Sequence, residues 1–291
     1  MSGFDADWLD LREPADHAAR SQDVLDAVAA AFEGRVGLAV ADLGAGSGST
    51  LRALAPRLGP AQSWTLFDHD PELLRHARVR LAAWADLAEN RDDSLVLLRE
   101  GRRIQVRFAL ADLAAEPVPE EGAFDLVACS ALLDLVGESW MARLLERLRA
   151  SETPFYAALT YDGAKSFAPP HPDDAAALGA FNRHQRTDKG FGPALGGEAG
   201  ARFRALAAAA GFREAAGDSP WRLAEDDAPL IHALADGVAQ AAEAASGASF
   251  AAWRAFRAEA AAAAAVGHVD LFVTPPGWPG PSSSAPARRP S

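Results

Sequence analysis

The feature that most narrows what this chain can fold into is a turn with glycines at alternate positions, Asp42-Leu43-Gly44-Ala45-Gly46-Ser47-Gly48. The apolar run over residues 37–43 reads as a strand and residues 50–58 regain helical spacing, so the glycines join a strand to a helix N-terminus. Glycine lets the backbone turn tightly and lets a ligand approach amides that no Cβ shields. The helix start adds partial positive charge. A dinucleotide fingerprint, G-x-G-x-x-G, asks for glycine five residues after Gly44, where the chain has Ser49; Asp-x-Gly-x-Gly-x-Gly describes the turn better.

Apolar spacing predicts a helix over 14–32, then strands over 63–67, 103–110, 124–129 (led in by Gly122) and 155–159, with helices over 72–87 and 138–149 between them. Alternating strands and helices imply a doubly wound, mostly parallel sheet with ligands at the carboxyl ends of its strands. Residues 161–197, rich in Pro, Gly, His and charge, interrupt that pattern, and an insertion of this length inside a compact domain predicts a functional lid. A helix over 198–210, a sixth strand over 212–223, helices over 228–245 and 250–264 and a last strand over 266–274 complete the reading. The expected organisation is a helical cap (1–35), one α/β domain (36–274, with the insertion 161–197) and a Pro-, Gly- and Ser-rich disordered tail (275–291).

With 291 residues, 40 acidic against 28 basic, the chain carries a formal net charge of −12. Such a balance repels polyanions, so neither nucleic acid nor an anionic membrane is an expected partner. Cys129 is the one cysteine, which excludes an internal disulfide or thiolate zinc cluster. No apolar run reaches ~18 residues and the first ten residues lack a signal-peptide core, so the expectation is a cytoplasmic protein, with a homodimer possible.

Residues 40–48 resemble motif I of the class I (Rossmann-like) S-adenosylmethionine-dependent methyltransferases, and further elements of that family follow in order through residue 159. The resemblance implies a seven-stranded α/β sheet and S-adenosylmethionine as cofactor. It places Asp42, Gly44, Ala45, Gly46 and Gly48 around the methionine end. Asp68, with His69 beside it, takes the position that holds both ribose hydroxyls, a role that suits a carboxylate's two acceptor oxygens; Asp70 is the alternative, and either residue is also a natural N-cap for the Pro71 helix. Asp112 and Leu113 fall where the adenine would be read, although Asp112 also suits an ordinary turn. Phe124-Asp125-Leu126-Val127 matches the fourth-strand motif, turning Cys129 and Ser130 toward the cofactor.

The acceptor is expected to be a small molecule methylated on oxygen or nitrogen, enclosed by residues 8–20 and by the insertion. His184 is the first choice for a base, with Tyr161 and Asp134 behind it. Arg12, His17, Asn182, Gln185 and Lys189 (or Arg186) are candidates to bind the acceptor. His268, Asp270, Trp221 and His171 read as structural, and no spacing of ligands suggests a metal. The competing classes are an NAD(P)-dependent oxidoreductase, which Ser49 disfavours, and a non-catalytic scaffold that keeps the same fold.

Overall fold

The structure, a computed structural model, describes residues 5–118 and 124–278; Gly122 and the tail residues 279–291 lie outside them. Two helices open the chain, α1 (Ala6–Ala19) and α2 (Gln22–Ala31), where spacing predicts one. Pro14 lies inside α1 rather than at its start, which Asp5 caps by accepting the Asp7 amide. The break falls at Arg20-Ser21 because both residues bond elsewhere: the Ser21 amide donates to Asp270 at 3.0 Å and Arg20 Nη1 to the Tyr156 hydroxyl at 3.1 Å. Two buried hydrogen bonds outweigh the continuity of one exposed turn.

Next come β1 (Gly37–Leu43), α3 (Ser49–Leu54), a 3-10 turn (Ala55–Arg57), β2 (Ala61–Asp68) and α4 (Pro71–Trp84). Asp70 caps α4 through the Glu72 amide, with Pro71 in the first turn. α4 stops at Trp84 rather than near 87, and a hairpin that the periodicity does not predict follows, β3 (Leu87–Asn90) and β4 (Ser94–Arg99). Then β5 (Arg102–Leu110), β6 (Leu126–Ser130), α5 (Glu138–Ala150) and β7 (Phe155–Ala168) continue the α/β alternation. The remainder is α6 (Asp174–Gln185), α7 (Ala199–Ala209), β8 (Arg213–Asp218), β9 (Trp221–Leu223), α8 (Ala228–Ser246), α9 (Ala251–Ala260) and β10 (Ala263–Thr274).

One ten-stranded sheet runs β3-β4-β5-β2-β1-β6-β7-β10-β8, with β9 beside β10. β5, β2, β1, β6 and β7 are mutually parallel, and β10 runs antiparallel to β7 and β8. The expected seven strands form the body of the sheet, and β3, β4 and β9 are short additions to it. The order reverses at β1, whose neighbours are β2 and β6, so the glycine turn stands at the switch point where open α/β sheets bind ligands.

Alternation along β1 sends Val40 into one layer of core with α2 and α4, and Ala41 and Leu43 into the other with α5 and α7. Trp140, Met141, Leu144, Leu145 and Leu148 form the buried stripe of α5. Each such side chain contributes about 1.5–3 kcal/mol of burial.

A third apolar cluster corrects the lid expectation. Residues 161–168 extend β7 along β10, and α6 packs Ala177, Ala180 and Phe181 into a cluster with Leu230, Ile231 and Leu234 of α8 and Trp253 of α9. The segment after α6 is pinned as well: Phe191 meets Trp140 edge-on at 6.0 Å and the Leu195 amide donates to the Val136 carbonyl. Gly197 lies so close to Gly163 that a Cβ there would stand 2.5 Å from its backbone. The predicted sixth strand is split into β8 and β9 at Ser219-Pro220, since proline cannot donate to a ladder. Within the range read as tail, Trp278 packs edge-on against Phe32 at 5.8 Å.

Candidate active site

At the end of β1 the chain passes through Gly44, Gly46 and Gly48 with φ of +66°, +52° and +78°, a conformation that side-chain-bearing residues rarely adopt. The Ala45 amide donates to the Phe67 carbonyl, and Asp68 accepts the Gly46 amide at 2.8 Å and the Asp70 amide at 3.0 Å. Asp68 thus binds the turn after β1 to the turn after β2. His69 stands 3.3 Å from it and is mostly exposed. The Ala111 amide donates to the Asp68 carbonyl, which brings the end of β5 alongside. There Asp112 is exposed and accepts the Ala114 amide in the expected turn geometry, and the Leu113 carbonyl accepts the Trp140 indole at 2.6 Å.

α1 lies over the turn. A Cβ on Gly46 would meet Leu9 at 3.0 Å, and His17 is 3.0 Å from the Ser49 hydroxyl. Glu13 takes both arms of the Arg52 guanidinium, at 2.6 and 2.7 Å, while Arg52 also donates to the Ser47 carbonyl. Burial works against ionisation of Glu13, but the two Arg52 bonds outweigh it and hold the carboxyl below its ordinary range. His17 is therefore a brace between α1 and the glycine turn. A cleft of about 460 Å³ opens between the start of α1 and α4; Asp70 and His76 line it, and Asp42 does not.

Asp42 is 0% exposed, and among the described residues neither of its oxygens has a partner in hydrogen-bond geometry; the Thr50 side chain is near enough to favour the ionised carboxyl without completing that geometry. Burial, reinforced by Asp68, pushes its carboxyl up to about 7 against the pull of Arg20. Arg20 is the matching anomaly of opposite sign: Nη1 is bound to Tyr156, while Nε and Nη2 are buried without a partner among the described residues. A carboxylate and a guanidinium in one buried region, each with unspent hydrogen-bonding capacity, are an arrangement that a protein seldom retains without a ligand. The sequence places Arg20 in the covering segment and gives no signal that singles it out.

After β6 the chain turns at Ala131, whose φ is +51°, and this bend swings Leu132 to within 3.6 Å of a Cβ built on Gly44. The same bend carries Asp134 into the interior, where Oδ1 has no partner. Burial pushes its carboxyl up to about 6, offset by nearby amides and by the charges of Arg12 and Lys165. Cys129 lies between the two acids, fully buried, with its thiol raised well above its ordinary range by burial and by the charges of Asp42 and Asp134. Ser130, which follows, is half-buried.

The structure brings Asp134 and Tyr161 together and leaves His184 apart. The Tyr161 hydroxyl donates to Asn182 Oδ1 at 2.8 Å, and Asn182 donates onward to the Gly163 carbonyl, so Asn182 orients Tyr161. Burial, together with Asp162 and Asp134, pushes the Tyr161 hydroxyl well above its ordinary value. His184 sits at the end of α6, where Lys189 donates to its carbonyl and to Thr187; Gln185 packs against Gly196. That group finishes α6 with a basic C-terminal cap. Arg12 makes a bidentate pair with Asp16, and Asp16 also accepts the Trp221 indole. His268 lies between Tyr161 and Trp221, where the Ser219 backbone bonds its ring and Nδ1 is buried without a partner among the described residues.

Residues 40–154 match the methyltransferase domain family, a span that runs from β1 to the residue before β7. A curated relative, the biotin biosynthesis bifunctional protein BioCD of Bordetella avium, is 29% identical over 134 residues; these are 45% of this chain and 24% of that protein. The chain thus spans about a quarter of the length of this relative. Solved structures similar to the chain include the cyclopropane synthase MmaA2 from Mycobacterium tuberculosis (14% identity, 93% of this chain and 94% of that one, TM-score 0.49). A second is a SAM-dependent methyltransferase from Thiobacillus denitrificans in complex with S-adenosyl-L-homocysteine (18%, 93% and 99%, TM-score 0.43). Residues 40–154 are thus similar to a methyltransferase domain, and the sheet that carries them has a doubly wound, mostly parallel, Rossmann-like order. Among the described residues, no helix is long and apolar enough to cross a membrane and no cluster of three His, Cys, Asp or Glu could hold a metal.

Proposed function

We propose that the chain transfers a methyl group from S-adenosylmethionine to an oxygen or nitrogen of a small-molecule acceptor. The observation that carries this reading is the pair of buried, unspent groups at the end of β1, Asp42 and Arg20. The amino-acid end of S-adenosylmethionine carries an ammonium and a carboxylate, the two partners these side chains lack. Asp68 would hold the ribose diol while keeping its bond to the Gly46 amide, since each carboxylate oxygen can accept more than one hydrogen bond. Asp112, exposed with one oxygen engaged by the turn, would read the adenine edge with the other. A nicotinamide dinucleotide offers no amino acid to Asp42 and Arg20.

When bound, the cofactor supplies an electrophilic methyl on a sulfonium whose departure needs no proton. The protein's share is alignment, exclusion of water and removal of a proton from the acceptor where its pKa is high. Asp134, buried with a free oxygen and a carboxyl held near 6, is the residue suited to take that proton. Tyr161, fixed by Asn182, shapes the same side of the site.

Equilibrium binding of S-adenosylhomocysteine against NAD, followed by calorimetry, tests the reading. S-adenosylhomocysteine is expected to bind and NAD not to; the reverse would remove the proposal. Asp68→Ala is expected to weaken S-adenosylhomocysteine by about tenfold, the loss of about 1.4 kcal/mol. Methyl transfer from labelled S-adenosylmethionine into a metabolite extract separates an enzyme from a scaffold that only binds.

A further inference from the structure

Tyr161 and Lys165 lie four residues apart on β7, either side of an irregularity in its pairing with β10, and both reach the Phe181 ring. The Lys165 ammonium sits 3.8 Å from the centre of the Phe181 ring and 5.4 Å from that of Tyr161. Beyond Tyr161 the wall continues through His268, Trp221 and Trp8, with successive ring centres 6.3, 5.5 and 6.4 Å apart. Four elements, α1, α6, β7 and the β9–β10 pair, thus present aromatic surface to one place beside Asp134.

The charges there are equal in number but not all paired in contact. Arg12, over the Trp221 ring at 5.0 Å, is neutralised by its bidentate bond to Asp16. Lys165 makes no hydrogen bond or ion pair among the described residues; Asp134 attracts it without touching it. Burial, and secondarily the Arg12 charge, pull the Lys165 ammonium down to about 7, with Asp134 acting in the opposite sense. Asp134 Oδ1 and His268 Nδ1 are both buried and unpartnered at the same site. An ammonium on aromatic faces with no anion in contact is what remains when a ligand supplies that contact.

We propose that this is the acceptor site and that its acceptor is a flat, apolar molecule bearing a single carboxylate, which Lys165 binds. The assignment rests on the methyltransferase reading above. A monoanion fits because Lys165 is the one cation of the site without a contacting partner among the described residues; a phosphate dianion would bring a second negative charge beside Asp134 with no second cation to meet it. The aromatic wall takes the body of the molecule, and the nucleophilic O–H or N–H is left to Asp134.

The test uses the full chain saturated with S-adenosylhomocysteine and follows quenching of tryptophan fluorescence by benzoate, 4-hydroxybenzoate and indole-3-carboxylate, each against its neutral amide. At least one acid is expected to bind tenfold or more tightly than its amide. Lys165→Met is expected to abolish that preference and Lys165→Arg to retain most of it, with both variants melting as the parent does. Equal binding of all acids and amides, or a preference that survives Lys165→Met, would overturn the assignment while S-adenosylhomocysteine still binds. If S-adenosylhomocysteine itself does not bind, the methyltransferase reading and this inference fall together.

Discussion

Asp42→Asn is expected to raise the melting temperature of the ligand-free protein at pH 8 while weakening S-adenosylhomocysteine by tenfold to a hundredfold. Both effects come from one cause. The wild-type carboxylate is wholly buried and has no partner in hydrogen-bond geometry among the described residues, and burial and the negative charge of Asp68 outweigh what Arg20 and the Thr50 side chain contribute. Raising a carboxyl from 3.8 to about 7 costs the ionised fold about 4 kcal/mol.

The sign follows from linkage. Because the folded value lies above the unfolded one, the contribution of Asp42 to stability is complete below pH 4 and is lost as pH rises through about 7. Asparagine has the same shape and no charge, so the variant escapes that loss, less the cost of an amide with unpaired groups, about 1–3 kcal/mol. Melting curves between pH 5 and pH 8 should show the variant gaining on the parent as pH rises, by a few degrees for a domain of this size. Binding of the cofactor reverses the balance, since its ammonium compensates the carboxylate and not the amide. A parent that is the more stable of the two by the same margin at pH 5 and pH 8 would show that Asp42 is not an uncompensated charge, and would remove the main support for the proposed function. Stability set aside at a binding residue is a common trade in enzymes.

The glycine turn and the positions of Asp68 and Asp112 at the ends of β2 and β5 were legible in the sequence because a turn at a switch point depends on local chemistry. Positive φ needs glycine, and a strand that ends at a ligand ends on a residue that can bond to it. The extension of β7 was not legible. Its outer half, Asp162 to Ala168, alternates between exposed and partly buried residues and pairs with the alanine-rich start of β10, which helical propensity claims for the preceding helix. Tyr161, Gly163, Lys165 and Phe167 on one face against Asp162, Ala164 and Ser166 on the other is a period of two that could have revealed it. The β3–β4 hairpin was missed because Leu95, Val96 and Leu97 are buried in succession, which gives no alternation to read. Arg20 and Lys165 carry no local signal at all; what distinguishes them is a missing partner, and that is a property of tertiary structure. Conversely, part of the polar mix that made residues 161–197 read as a lid is explained by small duties: Asn182 orients Tyr161, Lys189 caps α6, and Asp188 accepts the amides of Gly190 and Gly192.

Asp134→Asn is expected to lower turnover by a hundredfold to ten-thousandfold, the usual range for removal of a general base, and to leave the affinity for S-adenosylhomocysteine within about threefold. His184→Ala, altering a residue at the cap of α6, is expected to change turnover by less than about twofold, which departs from the first choice that composition suggests. The pH profile carries independent information. A base must be ionised to act, and the Asp134 carboxyl is held near 6 by burial, so turnover should climb as pH rises to about 6 and level off above it. Asp134→Asn should remove that limb as well as the rate, because the amide does not titrate. The measurement is methyl transfer from labelled S-adenosylmethionine to the acceptor recovered from extract, with kcat taken at saturation across pH 5 to 9. A profile whose acid limb survives Asp134→Asn, or a rate that falls with His184→Ala and not with Asp134→Asn, would move the base to the end of α6 and restore to residues 181–192 the catalytic part that their packing denies them.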